Sequence, residues 1–171
     1  MNDEARRIRS YLQAQGAKLS PPQIVAKVRE AMADVRTALF AVPPERFAAR
    51  PAPEAWSANE VMAHVVKSGA LFGRGIHRVL DGGGAGRPLE DRLETGVPTR
   101  TAAEWWDSFS RDRSALFERV ARAAPDAHLD GAVEHAMFGP LNWRETLLFL
   151  RVHDIDHAGQ LKKIAAALSA R

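Results

Sequence analysis

Asn142-Trp143-Arg144-Glu145-Thr146-Leu147-Leu148-Phe149-Leu150-Arg151-Val152-His153-Asp154-Ile155-Asp156-His157 is the stretch that decides the fold. Its first four residues set an N-cap amide three positions before a glutamate, the reciprocal pattern that starts a helix. At about 100° per residue, Trp143, Thr146, Leu150, His153, His157, Leu161, Ile164 and Leu168 fall on one stripe. A helix over 143–169 that carries such a stripe needs other helices to cover it. His153 and His157 stand at i and i+4, so two imidazole nitrogens can reach one point.

The same start signal recurs upstream at Ser20-Pro21-Pro22-Gln23, Ser57-Ala58-Asn59-Glu60 and Thr101-Ala102-Ala103-Glu104. Leu19 with Ile24 and Trp56 with Val61 add hydrophobic staples, and Pro21 at the first helical position loses no hydrogen bond. The expected helices run over 21–41, 58–81 and 102–123, stopped by Pro43-Pro44, by Gly82-Gly83-Gly84 and by Pro125. A shorter helix over 3–15, ending at Gly16, precedes them with Ile8 and Leu12 on one side. No β-alternation is read, and Val133 to Phe138 is taken as loop. The expectation is all-α: one domain over 1–171, a four-helix bundle with a short extra N-terminal helix. Its connections at 42–56, 82–100 and 124–141 are long enough to allow parallel neighbours or to roof one end and shape a pocket.

Composition narrows the function classes. With 171 residues, 46% of them hydrophobic and charges of both signs interspersed, the chain reads as a globular protein able to bury a core. Net charge is only +3, so the pI near 9.7 does not argue for nucleic acid. Arg6, Arg7 and Arg9, and Arg111 with Arg113, read as solvated helix faces. The sequence has no cysteine, which excludes disulfides, thiolate zinc sites and a protein thiol nucleophile. Any thiol chemistry must therefore use a thiol from outside the chain. The N-terminus lacks an apolar signal core, and no apolar run approaches the roughly 18 residues of a membrane helix. The expected location is cytoplasmic and the expected partner a small-molecule substrate, with no nucleic acid and no membrane; a homodimer is compatible with the chain.

The helix over 58–81 aligns Val61, His64, Ser68, Leu71, Gly75 and Val79. His64, His153 and His157 thus all lie on inward stripes. Two readings stay open at this point. An inward histidine is commonly a hydrogen-bonded core residue; three on facing stripes also form a neutral site that holds a divalent metal and leaves positions for water or substrate. Such a site keeps the full charge on the metal, which acidifies a bound water or thiol. Glu60 and Gln160 are weak catalytic candidates, each one turn from a histidine, although the capping box already accounts for Glu60. Asp154 lies nearer the inward side and could support a ligand, while Asp156 faces solvent or an ion pair. Trp56, Trp143, Trp105 and Trp106 read as core more than as pocket wall. His77, His128 and His135 lack partner spacing, and of these His135 stands in the loop that could roof the site. Arg74, Arg78, Arg144 and Arg151 are available to receive an acidic thiol at a pocket mouth.

Trp56-Ser57-x-x-Glu60-x-x-x-His64-Val65, followed by Asn142-Trp143-Arg144-Glu145 and His153-x3-His157-x2-Gln160, resembles the DinB-like (DinB/YfiT-like) metalloenzyme family. The resemblance extends from about Ser20 to Leu168 and rests on the order and spacing of short motifs. It implies a four-helix bundle with a three-His divalent metal, zinc or nickel, and His64, His153 and His157 match the ligand positions. It further implies a metal-dependent transferase or isomerase that uses a low-molecular-weight thiol such as bacillithiol, mycothiol or glutathione, or else a metal-dependent hydrolase. A low-molecular-weight-thiol S-transferase is the leading expectation, with a hydrolase or a non-catalytic metal-binding stress protein as alternatives. The C-terminal domain that accompanies mycothiol-dependent maleylpyruvate isomerases is not in this sequence, so that activity is not expected.

Overall fold

Side-chain caps, reciprocal in all but the first, open the helices of the computed structural model, which describes residues 2–84, 86–90 and 96–169. These helices are α1 (Asp3–Lys18), α2 (Pro21–Phe40), α3 (Ala58–Leu80), α4 (Ala102–Ala121) and α5 (Trp143–Ser169). Ser57 Oγ accepts from the Glu60 N–H at 3.2 Å while the Glu60 carboxylate accepts from the Ser57 N–H at 2.8 Å. Thr101 and Glu104 repeat the exchange at 3.2 and 2.7 Å, and Asn142 and Glu145 at 3.0 Å each way. At α2, Gln23 Oε1 accepts from the Ser20 N–H at 2.8 Å. Each exchange satisfies N–H groups that the first helical turn leaves over.

Gly16 does not end α1, which continues to Lys18. Its missing side chain serves packing instead. A Cβ there would lie 2.9 Å from Glu145 Cγ, so the glycine lets α1 cross closely over the start of α5.

Contacts at the helix ends fix the directions. Arg144 donates to the Leu19 carbonyl at the start of α2, and Arg46 Nη1 donates to the Leu168 carbonyl at 3.1 Å at the far end. α2 and α5 therefore run parallel. Trp105 Nε1 donates to Asn59 Oδ1 at 2.8 Å, and Arg119 Nη2 to the Leu80 carbonyl at 2.7 Å, so α3 and α4 also run parallel. α3 opposes α5, because His64 meets His153 while Phe72 meets Phe149. The bundle is up-down-down-up: α5 packs on α2 and α3, α4 on the same two helices, and α1 lies outside against α5. The connection between α3 and α4 must return along the bundle, which explains its length; positions 85 and 91–95 of it lie outside the described residues.

The connection between α4 and α5 joins neighbouring ends and has length to spare. It folds into a hairpin of β1 (Val133–His135) and β2 (Gly139–Leu141), with Val133 opposite Leu141 and His135 opposite Gly139. This corrects the reading of 133–138 as loop. Leu89 adds a third rung, its N–H donating to the Glu134 carbonyl at 2.7 Å and its carbonyl accepting from the Ala136 N–H at 3.1 Å. Gly139 makes the turn possible with φ +71°, a left-handed conformation that costs glycine nothing. Val133 and His135 point inward and Glu134 does not, but three residues are too few for alternation to announce itself. The hairpin rests on α3 at Gly75, where a Cβ would meet Val133 Cγ1 at 2.9 Å.

All eight positions of the α5 stripe are buried, from Trp143 to Leu168. On α3, Phe72 takes the fully buried place expected for Leu71, which is half-buried. Arg113 departs most from the sequence reading: it is 2% exposed, inside the bundle and not on a solvated face. Among the described residues, no helix is long and apolar enough to cross a membrane.

Candidate metal centre

The cap at Ser57 sets the phase of α3, and about two turns later His64 faces the middle of α5. There it meets His153 and His157. The Nε2 atoms of His64 and His153 are 3.2 Å apart, and one ligand nitrogen from each of the three rings lies within 4.8 Å of the others. Two nitrogens bound to one tetrahedral zinc at ordinary Zn–N lengths stand about 3.3 Å apart. The donor set thus fits a divalent ion in type and in its shortest spacing; three neutral imidazoles suit zinc and nickel alike. The three histidines are buried at 7%, 7% and 8% exposure.

Supporting contacts hold the His157 and His64 rings. Gln160 Oε1 accepts from His157 Nδ1 at 2.9 Å, which leaves the Nε2 lone pair for a ligand role. Trp56 stacks parallel to His157 at 6.4 Å and meets His64 edge-on at 5.2 Å, so it walls the site and is not a remote core residue. Burial pushes the His157 imidazole down to about 4, and the neighbouring His153 pushes in the same direction. The ring is therefore neutral at physiological pH, the form a metal binds.

Glu60 is engaged elsewhere. Its carboxylate caps α3 and pairs with Arg50, whose guanidinium holds it below the usual carboxylate range. Asp156 is exposed, whereas Asp154 is fully buried and takes two hydrogen bonds from Arg113 Nη2, at 2.8 and 3.0 Å.

A cleft of about 560 Å³ opens on this centre between α1, the hairpin and α5. His153 and His157 form part of its wall, along with Ile8, Phe138, Phe149 and Val152, and Glu4 and Asp156 also line it. His135 lines it too, stacked on Phe72 at 5.1 Å. Its Nδ1 accepts from the Met137 N–H at 3.0 Å and the Phe138 N–H at 3.4 Å, which puts the proton of the neutral ring on Nε2. Sequence spacing gave no reason to choose His135, because the hairpin that carries it was not read. None of the four candidate arginines is in the described cleft wall. Arg74 lines a separate groove of about 290 Å³ between α3 and α4, together with His77 and Arg113. Arg144 bonds the carbonyls of Leu19 and Pro125, Arg151 donates to the Tyr11 hydroxyl at 3.0 Å, and Arg78 packs against Gly83 and Gly86.

A parallel-paired four-helix bundle with three inward histidines that could hold a metal ion is the class defined so far. The chain belongs to the DinB superfamily, whose sequence profile matches residues 12–161. It is also similar in fold to TT2238, described as a four-helix bundle protein in its crystal structure, with a TM-score of 0.63 and 20% identity. The match covers 84% of this chain and 99% of that one. No curated protein matches the sequence.

Proposed function

We propose that the protein is a divalent-metal-dependent enzyme that brings an exogenous nucleophile, in the first place a low-molecular-weight thiol, to a small and largely apolar substrate. One observation carries the reading: two of three converging, buried imidazoles form the wall of an apolar cleft. A non-catalytic metal staple has no use for such access. Bound by His64, His153 and His157, a zinc or nickel ion would supply Lewis acidity that lowers the pKa of a coordinated thiol or water.

The chain's own residues do the rest. Trp56, Phe149 and Phe138 restrict water around the centre, and Gln160 keeps the His157 lone pair turned toward it. Without cysteine the chain cannot itself provide a thiol. The position of the arginines favours a second reading, hydrolysis. Arg74 lines a separate groove and Arg78, Arg144 and Arg151 pack or bond elsewhere, so none of the four is in the described cleft wall to receive an acidic thiol.

Cobalt-substituted protein separates the two. Addition of a low-molecular-weight thiol should raise a sulfur-to-metal charge-transfer band and support metal-dependent conjugation of a test electrophile, both absent in His64→Ala. Ester or amide hydrolysis without thiol, and without the band, would replace transfer by the second reading. Absence of both across a broad panel would contradict an enzyme.

A further inference from the structure

The Arg113–Asp154 pair is expensive as a structural element. Arg113 and Asp154 are 2% and 0% exposed, and the guanidinium meets the carboxylate at 2.8 and 3.0 Å. Withdrawing two charges from water costs roughly as much as their attraction returns, and apolar side chains of similar volume commonly serve stability as well. Stability alone therefore does not account for the pair.

The surroundings are arranged to hold it. Gly69, in the middle of α3, leaves a notch where a Cβ would stand 3.3 Å from Arg113 Nη1. A mid-helix glycine is itself less favourable than alanine. Phe109 presents its ring face to the guanidinium at 5.1 Å. These contacts pull the arginine of α4 inward and aim it at α5. There the Asp154 carboxylate stops 3.9 Å from His153 Nδ1.

We propose that Asp154, held by Arg113 in the notch at Gly69, is a positioning residue for His153 in the metal centre. The inference rests on the three-His metal reading. His153 directs Nε2 toward His64, so Nδ1 lies on the far side of the ring. A neutral imidazole that offers Nε2 to a metal must carry its proton on Nδ1, and a carboxylate beside Nδ1 favours that tautomer and strengthens the donor. Two hydrogen bonds from Arg113 fix the carboxylate in a low-dielectric interior, where its effect on the ring is little screened. His157 obtains the same service from Gln160. The two ligands of α5 are thus oriented by different means, an amide on one and an ion pair on the other.

The test exploits the difference between stability and tuning. In Arg113→Met/Asp154→Leu both charges are removed together, so no buried ion is stranded. The metal-free variant should melt no lower than wild type, while its zinc Kd, from competition with a chromogenic chelator, rises about 10- to 100-fold. Nitrogen NMR of the metal-free wild type should show His153 as the Nδ1–H tautomer, a preference lost in the variant. Should that variant fail to fold, Arg113→Met/Asp154→Asn retains the shape of the carboxylate without its charge and should weaken zinc in the same direction. An unchanged zinc Kd in either folded variant would reduce the pair to a structural element and overturn the proposal. Wild-type protein that binds no zinc or nickel would remove the metal reading itself, a result distinguishable because it needs no variant.

Discussion

At His157, burial and the adjacent His153 hold the imidazole neutral, with its pKa brought down to about 4. In the unfolded chain the same ring takes a proton at about 6.5. The unfolded state therefore binds more protons between those values, and stability falls as pH drops through that window. The full contribution is present above about 6.5 and is lost on the way down to about 4. Denaturation of metal-free protein across this range should show the decline, and His157→Gln should flatten it; equal slopes would contradict the assignment. Gln160 offers a second handle at the same ring. Replacing it with alanine should raise the zinc Kd on the order of 10-fold with little loss of helix, since the ring loses its Nδ1 acceptor. A Kd within error of wild type would show that Gln160 does not orient the ring.

The elements that carry these residues depend on their caps. Ser57→Ala removes the acceptor for the Glu60 N–H at the start of α3 and should cost about 1 kcal/mol in chemical denaturation. At the hairpin, Gly75→Val would drive a side chain into Val133, whose Cγ1 already stands 2.9 Å from an added Cβ. That substitution should lower stability by about 1–3 kcal/mol and displace the strand bearing His135. Caps and stripes are local signals, which is why α2 to α5 could be read from the sequence within two residues at their ends. The three histidines were legible for the same reason, their spacing and their stripes. The hairpin was not, because its strands span three residues each and β1 is completed by Leu89, more than forty positions upstream in the chain. Arg113 shows a different failure. It follows Phe109 by four residues, as Asp154 follows Leu150, so both stood at inward positions in plain view. A charge at an inward position was read as solvated because its partner lies on another helix, forty-one residues away.

For the molecule as a whole, the core is separable from the proposed metal centre. The buried stripe of α5 from Trp143 to Leu168, with Phe72, Phe109 and Leu39 from the other helices, forms a core without help from any ion. Chelation should therefore leave the helical circular dichroism largely intact and only lower the melting temperature, with added metal restoring it by linkage. Loss of most helicity on chelation at room temperature would show the metal to be obligatory for folding. The crossover from α3 to α4 places two pairs of parallel helices around the centre, and the long connections supply the hairpin wall of the cleft. All of this would give access to a metal held by the three histidines, so the metal content of the purified protein is the most direct test. Elemental analysis should find about one zinc or nickel per chain in wild type, and strongly reduced content in His64→Ala, His153→Ala and His157→Ala. Undiminished stoichiometry in folded variants, or wild type without metal after reconstitution, would contradict the three-His centre.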